Sequence, residues 1–154
     1  MNTHVSHSPI VVRYCETDQM GVAWHGNYIQ WFEVGRTDWL REQGATYLSL
    51  EQSGLLLPVL RIDCHYMKAS RYDDVLDVET RLAEYNGLRL VFSYTVRRSG
   101  EAVILAQGES EHVFSRPDLR PLRLQKSAPT LHRLLAGEAD GATAVDPAPG
   151  STHP

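Results

Sequence analysis

The hydrophobic pattern predicts an α+β protein, a five-stranded antiparallel sheet wrapped around one long central helix. Three observations carry this. Residues 27–43 hold apolar and aromatic side chains at helical spacing. Four segments between Leu55 and Ser115 alternate apolar and polar, as does a shorter one over residues 10–15. The length of 154 residues, 42% of them apolar and 22% charged, fits one domain with a real core.

Taken in order, the first strand sets Ile10, Val12 and Tyr14 against Val11, Arg13 and Cys15. A loop over Glu16–Gly26 follows, punctuated by Gly21 and Gly26. Asn27 is the predicted N-cap of the central helix. Tyr28, Trp31, Phe32, Gly35 and Trp39 form its apolar stripe, Glu33 and Arg36 read as an intrahelical pair, and Gly44 ends it. Such a helix is about 25 Å long, close to the span of about 27 Å for an eight-residue strand. A second helix is predicted over Thr46–Gln52, closed by Gly54. Strands then run over residues 60–67, 75–82, 88–97 and 104–114, with Asn86-Gly87 and Ser99-Gly100 as turns. Alternation implies antiparallel pairing with one face buried. The edge strands need protection, so a homodimer or homotetramer is expected.

Residues 1–8 are polar and read as a flexible N-terminus, residues 9–136 as the domain, and residues 137–154 as a disordered tail with one large aliphatic side chain. The net charge is −4, and three of those charges are Glu138, Asp140 and Asp146. The remaining body is nearly neutral, so no nucleic-acid partner is expected. No apolar run approaches the ~20 residues of a membrane span. The first residues lack the apolar core of a signal peptide, and Cys15 and Cys64 make no disulfide framework, so the cytoplasm is the expected setting with both thiols buried. Arg116, Arg120, Arg123, Lys126 and Arg133 face Asp118 alone, a local excess suited to a small polyanion. There is no Gly-x-Ser-x-Gly, no metal-ligand spacing and no phosphate-binding glycine loop, so no cofactor is expected.

The loop before the central helix is the unusual segment. It places Asp18, His25, Gly21 and Gly26 at a helix N-terminus, where unpaired N–H groups and the helix dipole favour an oxyanion. A carboxylate beside such donors is an arrangement for hydrolysing an acyl compound.

The stretch Arg13–Glu42, with Tyr14, Asp18, Gly21, His25, Asn27-Tyr28, Trp31-Phe32-Glu33 and Arg36, resembles the signature of the hotdog-fold thioesterases of the 4-hydroxybenzoyl-CoA type. His25, where some members have Tyr, is similar to the acyl-CoA thioesterase branch often encoded with the Tol–Pal system. A second segment, Tyr66–Asp74, resembles the family's approach to its third strand, with Ala69 where Pro is frequent. The resemblance covers about residues 9–130 and implies the hotdog fold, dimerised, hydrolysing an acyl-CoA or acyl-carrier-protein thioester. It implies Asp18 as catalytic carboxylate (nucleophile or general base), the His25 N–H as the carbonyl-polarising donor, and the Tyr14 and His25 side chains as further functional groups. Lys68, Arg71 and Arg116 are the candidate cations for the coenzyme A phosphates. The competing expectations are an acyl-thioester-binding accessory protein without hydrolytic activity and a hydroxyacyl thioester dehydratase.

Overall fold

The computed structural model describes residues 3–142. It contains β1 (Ser6–Val11), a 3-10 turn (Tyr14–Glu16), α1 (Asn27–Glu42), α2 (Tyr47–Gln52), β2 (Val59–Tyr66), β3 (Val75–Tyr85), β4 (Arg89–Arg98), β5 (Ile104–Val113), α3 (Leu124–Ser127) and α4 (Pro129–Ala142). All strand pairs are antiparallel, in the order β1-β3-β4-β5-β2. The sheet wraps α1. The inner positions of β3 and β4, Leu76, Val78, Leu82, Leu90, Phe92, Tyr94 and Val96, are buried against the Trp31, Phe32, Trp39 and Leu40 stripe. Phe32 stacks parallel on Tyr94 at 4.4 Å, and Trp39 meets Phe92 edge-on. Helix and sheet approach closely at Gly35, where a Cβ would lie 2.3 Å from Thr80 Oγ1.

Several elements differ from the sequence expectation. The first strand lies at Ser6–Val11, not residues 10–15, and Ser6 and Ser8 pair with Thr80 and Val78. These serines are small enough to sit beside α1, and Ser8 donates to Asp38 at 2.6 Å. Residues 4–8 are therefore held. The His4 N–H donates to Glu138, and its carbonyl accepts the Trp39 indole N–H. The domain also continues past residue 136. Leu131, Leu134, Leu135 and Ala139 recur at helical spacing in α4, with Leu135 and Ala139 buried, so residues 137–142 belong to a helix; residues 143–154 of the expected tail lie outside the described residues.

Asn27 is the first helical residue and not the cap, because its side-chain N–H donates back to the Glu16 carbonyl at 2.6 Å. Arg36 makes no pair with Glu33. It is buried, donating to the phenols of Tyr47 (2.6 Å) and Tyr94 (3.0 Å). The chain continues with a hydrogen bond between the Tyr94 phenol and Ser110 Oγ, and one between Ser110 Oγ and His112 Nε2 at 2.7 Å. This polar chain crosses the core from Arg36 to His112. Cys15 is exposed on the 3-10 turn and Cys64 is half-buried; neither forms a disulfide. No helix among the described residues is long and apolar enough to cross a membrane.

Candidate active site

The loop between β1 and α1 is built on Glu16. This carboxylate is buried and accepts the Arg13 N–H, the Arg13 guanidinium and, across the loop, the Trp31 indole N–H at 3.0 Å. Its carbonyl accepts from Trp24 and Asn27. Burial pushes the Glu16 carboxyl up, but these hydrogen bonds outweigh it and hold the group below its ordinary value. The loop is thereby tied to the first turns of α1.

Beyond Glu16 the chain makes a tight reversal. The Asp18 N–H donates to Val22, the Gly21 N–H donates to the Asp18 carbonyl, and Gly21 has φ of 75°, which a side chain would strain. One Asp18 carboxylate oxygen accepts the Met20 N–H at 2.9 Å, and the other has no partner among the described residues. The chain then returns to α1. The Trp24 carbonyl accepts the Asn27 N–H and the His25 carbonyl accepts the Tyr28 N–H, so both point along the helix. The N–H groups of His25 and Gly26 point the opposite way and have no partner among the described residues.

Asp18 and His25 line one cleft of about 230 Å³ together with Met20, Val22, Ala23, Tyr28 and the segment Tyr66–Ala69. Its walls are mostly apolar, and Lys68 is the cation on its rim. Tyr28 is anchored at its inner side by a hydrogen bond to Ser70 at 2.8 Å. Arg71 lies against the same loop, donating to the Gly21 carbonyl at 3.2 Å.

Of the residues picked out from the sequence, Asp18, His25 and Lys68 converge, with Arg71 beside them. Tyr14 does not. It sits on the 3-10 turn rather than on an apolar strand face, is 78% exposed, and packs edge-on against Tyr72. Arg116 is also apart. Ser115 bridges Leu56 before the start of β2, whereas the cleft is at the far end, where Tyr66 pairs with Ala106. That separation is about 30 Å along the sheet of one chain. Glu16 and Tyr66 are the site residues that sequence reading passed over. Glu16 reads as an ordinary loop acid, and its contact with Trp31 spans fifteen positions with no local pattern. Tyr66 reads as one more inward position of a strand.

The pattern of the thioesterase superfamily matches residues 20–105. YneP of Bacillus subtilis (strain 168) is 35% identical over 129 residues, covering 84% of this chain and 94% of that protein. The acyl-CoA thioester hydrolase YbgC of Escherichia coli O157:H7 is 30% identical over 128 residues, covering 82% and 95%. Among solved structures, the DHNA-CoA thioesterase of Staphylococcus aureus superposes with a TM-score of 0.82 at 33% identity, covering 86% of this chain and 89% of that one. The superposition shows that the Staphylococcus aureus protein shares this fold, and the chain belongs to the thioesterase superfamily.

Proposed function

We propose that the protein hydrolyses an acyl-CoA thioester to a free acid and coenzyme A, with Asp18 as the catalytic carboxylate. The observation that carries this is that Asp18, with one carboxylate oxygen left without a partner among the described residues, and His25 line one mostly apolar cleft at the start of α1, where the N–H groups of His25 and Gly26 are likewise unpartnered. The thioester carbonyl oxygen is received by the helix N-terminus, which stabilises the negative charge that develops there. Asp18 attacks the carbonyl carbon, giving a mixed anhydride that water then cleaves to release the acid and restore the carboxylate, or it takes a proton from a water that attacks the carbonyl carbon directly. The carbon–sulfur bond breaks, the sulfur leaves as thiolate and takes up a proton, and one water is consumed. The His25 imidazole, exposed at the cleft, is placed to supply that proton, although a thiol of pKa near 8.5 needs little help. Tyr14 does not line the cleft and has no part in this reading.

The same reading includes a homodimer. β2 is an edge of the sheet, and Val59, Leu60, Tyr66 and Met67 on it or just after it are exposed. Antiparallel pairing of two β2 edges sets the beginning of one strand beside the end of the other. Arg116 of the partner subunit then approaches the cleft that the chain's own Arg116 cannot reach, joining Lys68 and Arg71 as cations for the coenzyme A phosphates. A carrier-protein thioester carries the same reacting group and is the second substrate to assay. Two free cysteines accord with a reducing cytoplasm.

The test is Asp18→Asn, assayed by thiol release from benzoyl-CoA, butanoyl-CoA and decanoyl-CoA. The amide keeps the size of the carboxylate and removes both its basicity and its nucleophilicity. Hydrolysis should fall roughly 10²- to 10⁴-fold, the range a positioned acid–base group contributes, with an unchanged circular dichroism spectrum. Undiminished turnover would refute the assignment.

A further inference from the structure

Tyr66, the last residue of β2, reaches over the cleft and donates its phenol O–H to the His25 carbonyl at 2.8 Å. The same oxygen accepts the Tyr28 N–H at a longer 3.3 Å. The Tyr66 ring meets the Tyr28 ring edge-on at 5.2 Å and the His25 imidazole edge-on at 6.2 Å, so its direction is fixed by packing. The junction itself offers little to hold that peptide. Gly26 caps α1 without a side chain, and Asn27 has turned its amide to Glu16. A Cβ at position 26 would lie 2.3 Å from the Trp24 indole, so a bulkier residue there would have to displace that ring.

We propose that Tyr66 is a positioning residue for the hydrolysis, setting from the sheet edge the orientation of the His25–Gly26 peptide, whose N–H joins that of His25 in polarising the thioester carbonyl. The proposal rests on the reading of His25 and Gly26 as those donors. A peptide group is planar, so a carbonyl anchored on one side fixes the N–H on the other. The His25 carbonyl and the Gly26 N–H belong to one such plane. Donation into the carbonyl also polarises the peptide and strengthens its N–H as a donor. Oxyanion stabilisation depends on donors already in place when charge develops, within about 2.7–3.1 Å of the oxygen. Loss of hydration, with the nearby Cys64 thiol, pushes the Tyr66 phenol up to about 12, so it stays protonated and able to donate near neutral pH.

Tyr66→Phe removes one oxygen and keeps the ring. Its kcat for the acyl-CoA that wild type turns over best should fall roughly tenfold, less than for outright removal of an oxyanion donor, while KM stays within about twofold. The second measurement is the infrared carbonyl stretch of that acyl-CoA, labelled with carbon-13 at the thioester and bound to Asp18→Asn protein, which blocks turnover. In Asp18→Asn alone the bound stretch should lie below that of the free thioester. In Asp18→Asn/Tyr66→Phe it should return most of the way. An unchanged kcat, a rise in KM alone, or a lowered kcat with an unmoved stretch overturns the proposal. Wild-type protein that binds acyl-CoA and releases no thiol overturns the hydrolase reading itself, and that control is read first.

Discussion

Glu16 holds the loop between β1 and α1 to the helix through one buried carboxylate, so its role is separable from the chemistry proposed for Asp18. Glu16→Gln keeps the shape and an acceptor for Trp31 while losing the charge that Arg13 and the indole satisfy. The expected cost is about 1–2 kcal/mol of stability, the worth of hydrogen bonds to a charged group less what the amide retains. The expected fall in thiol release exceeds that cost, because Asp18 lies two residues on. Urea unfolding and the thiol assay read the two effects separately; loss of neither would show that the loop holds without the charge. The sign with pH follows from the direction of the shift. The folded carboxyl sits below its ordinary value, so its stabilising effect is present above the unfolded pKa of 4.5 and fades as the pH falls through the folded one.

At the scale of elements, the contact between α1 and β3 is governed by the absence of a side chain at Gly35. Gly35→Ala places a methyl 2.3 Å from Thr80 Oγ1, so the helix must lift or Thr80 must turn. The expected loss is about 1–3 kcal/mol, as for other overpacked cores, against a small gain in helix propensity. Thr80→Ala removes the clashing atom, so the Gly35→Ala/Thr80→Ala double variant should recover much of the urea midpoint. Equal losses in the single and double variants would place the strain elsewhere. The helix and the later strands were legible because their buried faces are apolar at a period the chain shows openly. β1 was not, because its inward positions are Ser6 and Ser8, small polar residues that fit beside α1, with Ser8 hydrogen-bonded to Asp38. α4 was masked by its neighbours: the basic residues before it and the glycine and acids within it drew attention from four well-spaced apolar positions. The convergence of Asp18 and His25 on one cleft was legible, because both stand out as residue types in the loop before the helix. The site was illegible where the role depends on a tertiary contact, at Glu16 and Tyr66.

For the molecule as a whole, the chain from Arg36 through Tyr94 and Ser110 to His112 makes the core sensitive to acid. Burial first, then the Arg36 charge, push the His112 imidazole down to about 4 from an unfolded value of 6.5. The unfolded chain therefore takes up the proton first. Stability is full above pH 6.5 and declines as the pH falls toward 4, by about 3 kcal/mol in total. Urea midpoints measured from pH 7 to 4.5 should fall accordingly, and His112→Gln should flatten the slope. A wild-type midpoint constant over that range would show that the imidazole titrates normally.

The strand order has a consequence for the chain as it is made. α1 is complete at Glu42, yet β3, which covers its aromatic stripe, begins at Val75, about thirty residues later. β1 waits for the same strand, and β2 waits for β5. Among the described strands only β3 and β4 pair with their immediate successors, β4 and β5. The meander of those three is then the part able to form by local steps, and both edges close onto it through long-range pairing. A nascent chain halted before residue 75 presents Trp31, Phe32 and Trp39 uncovered to whatever stands at the ribosome exit.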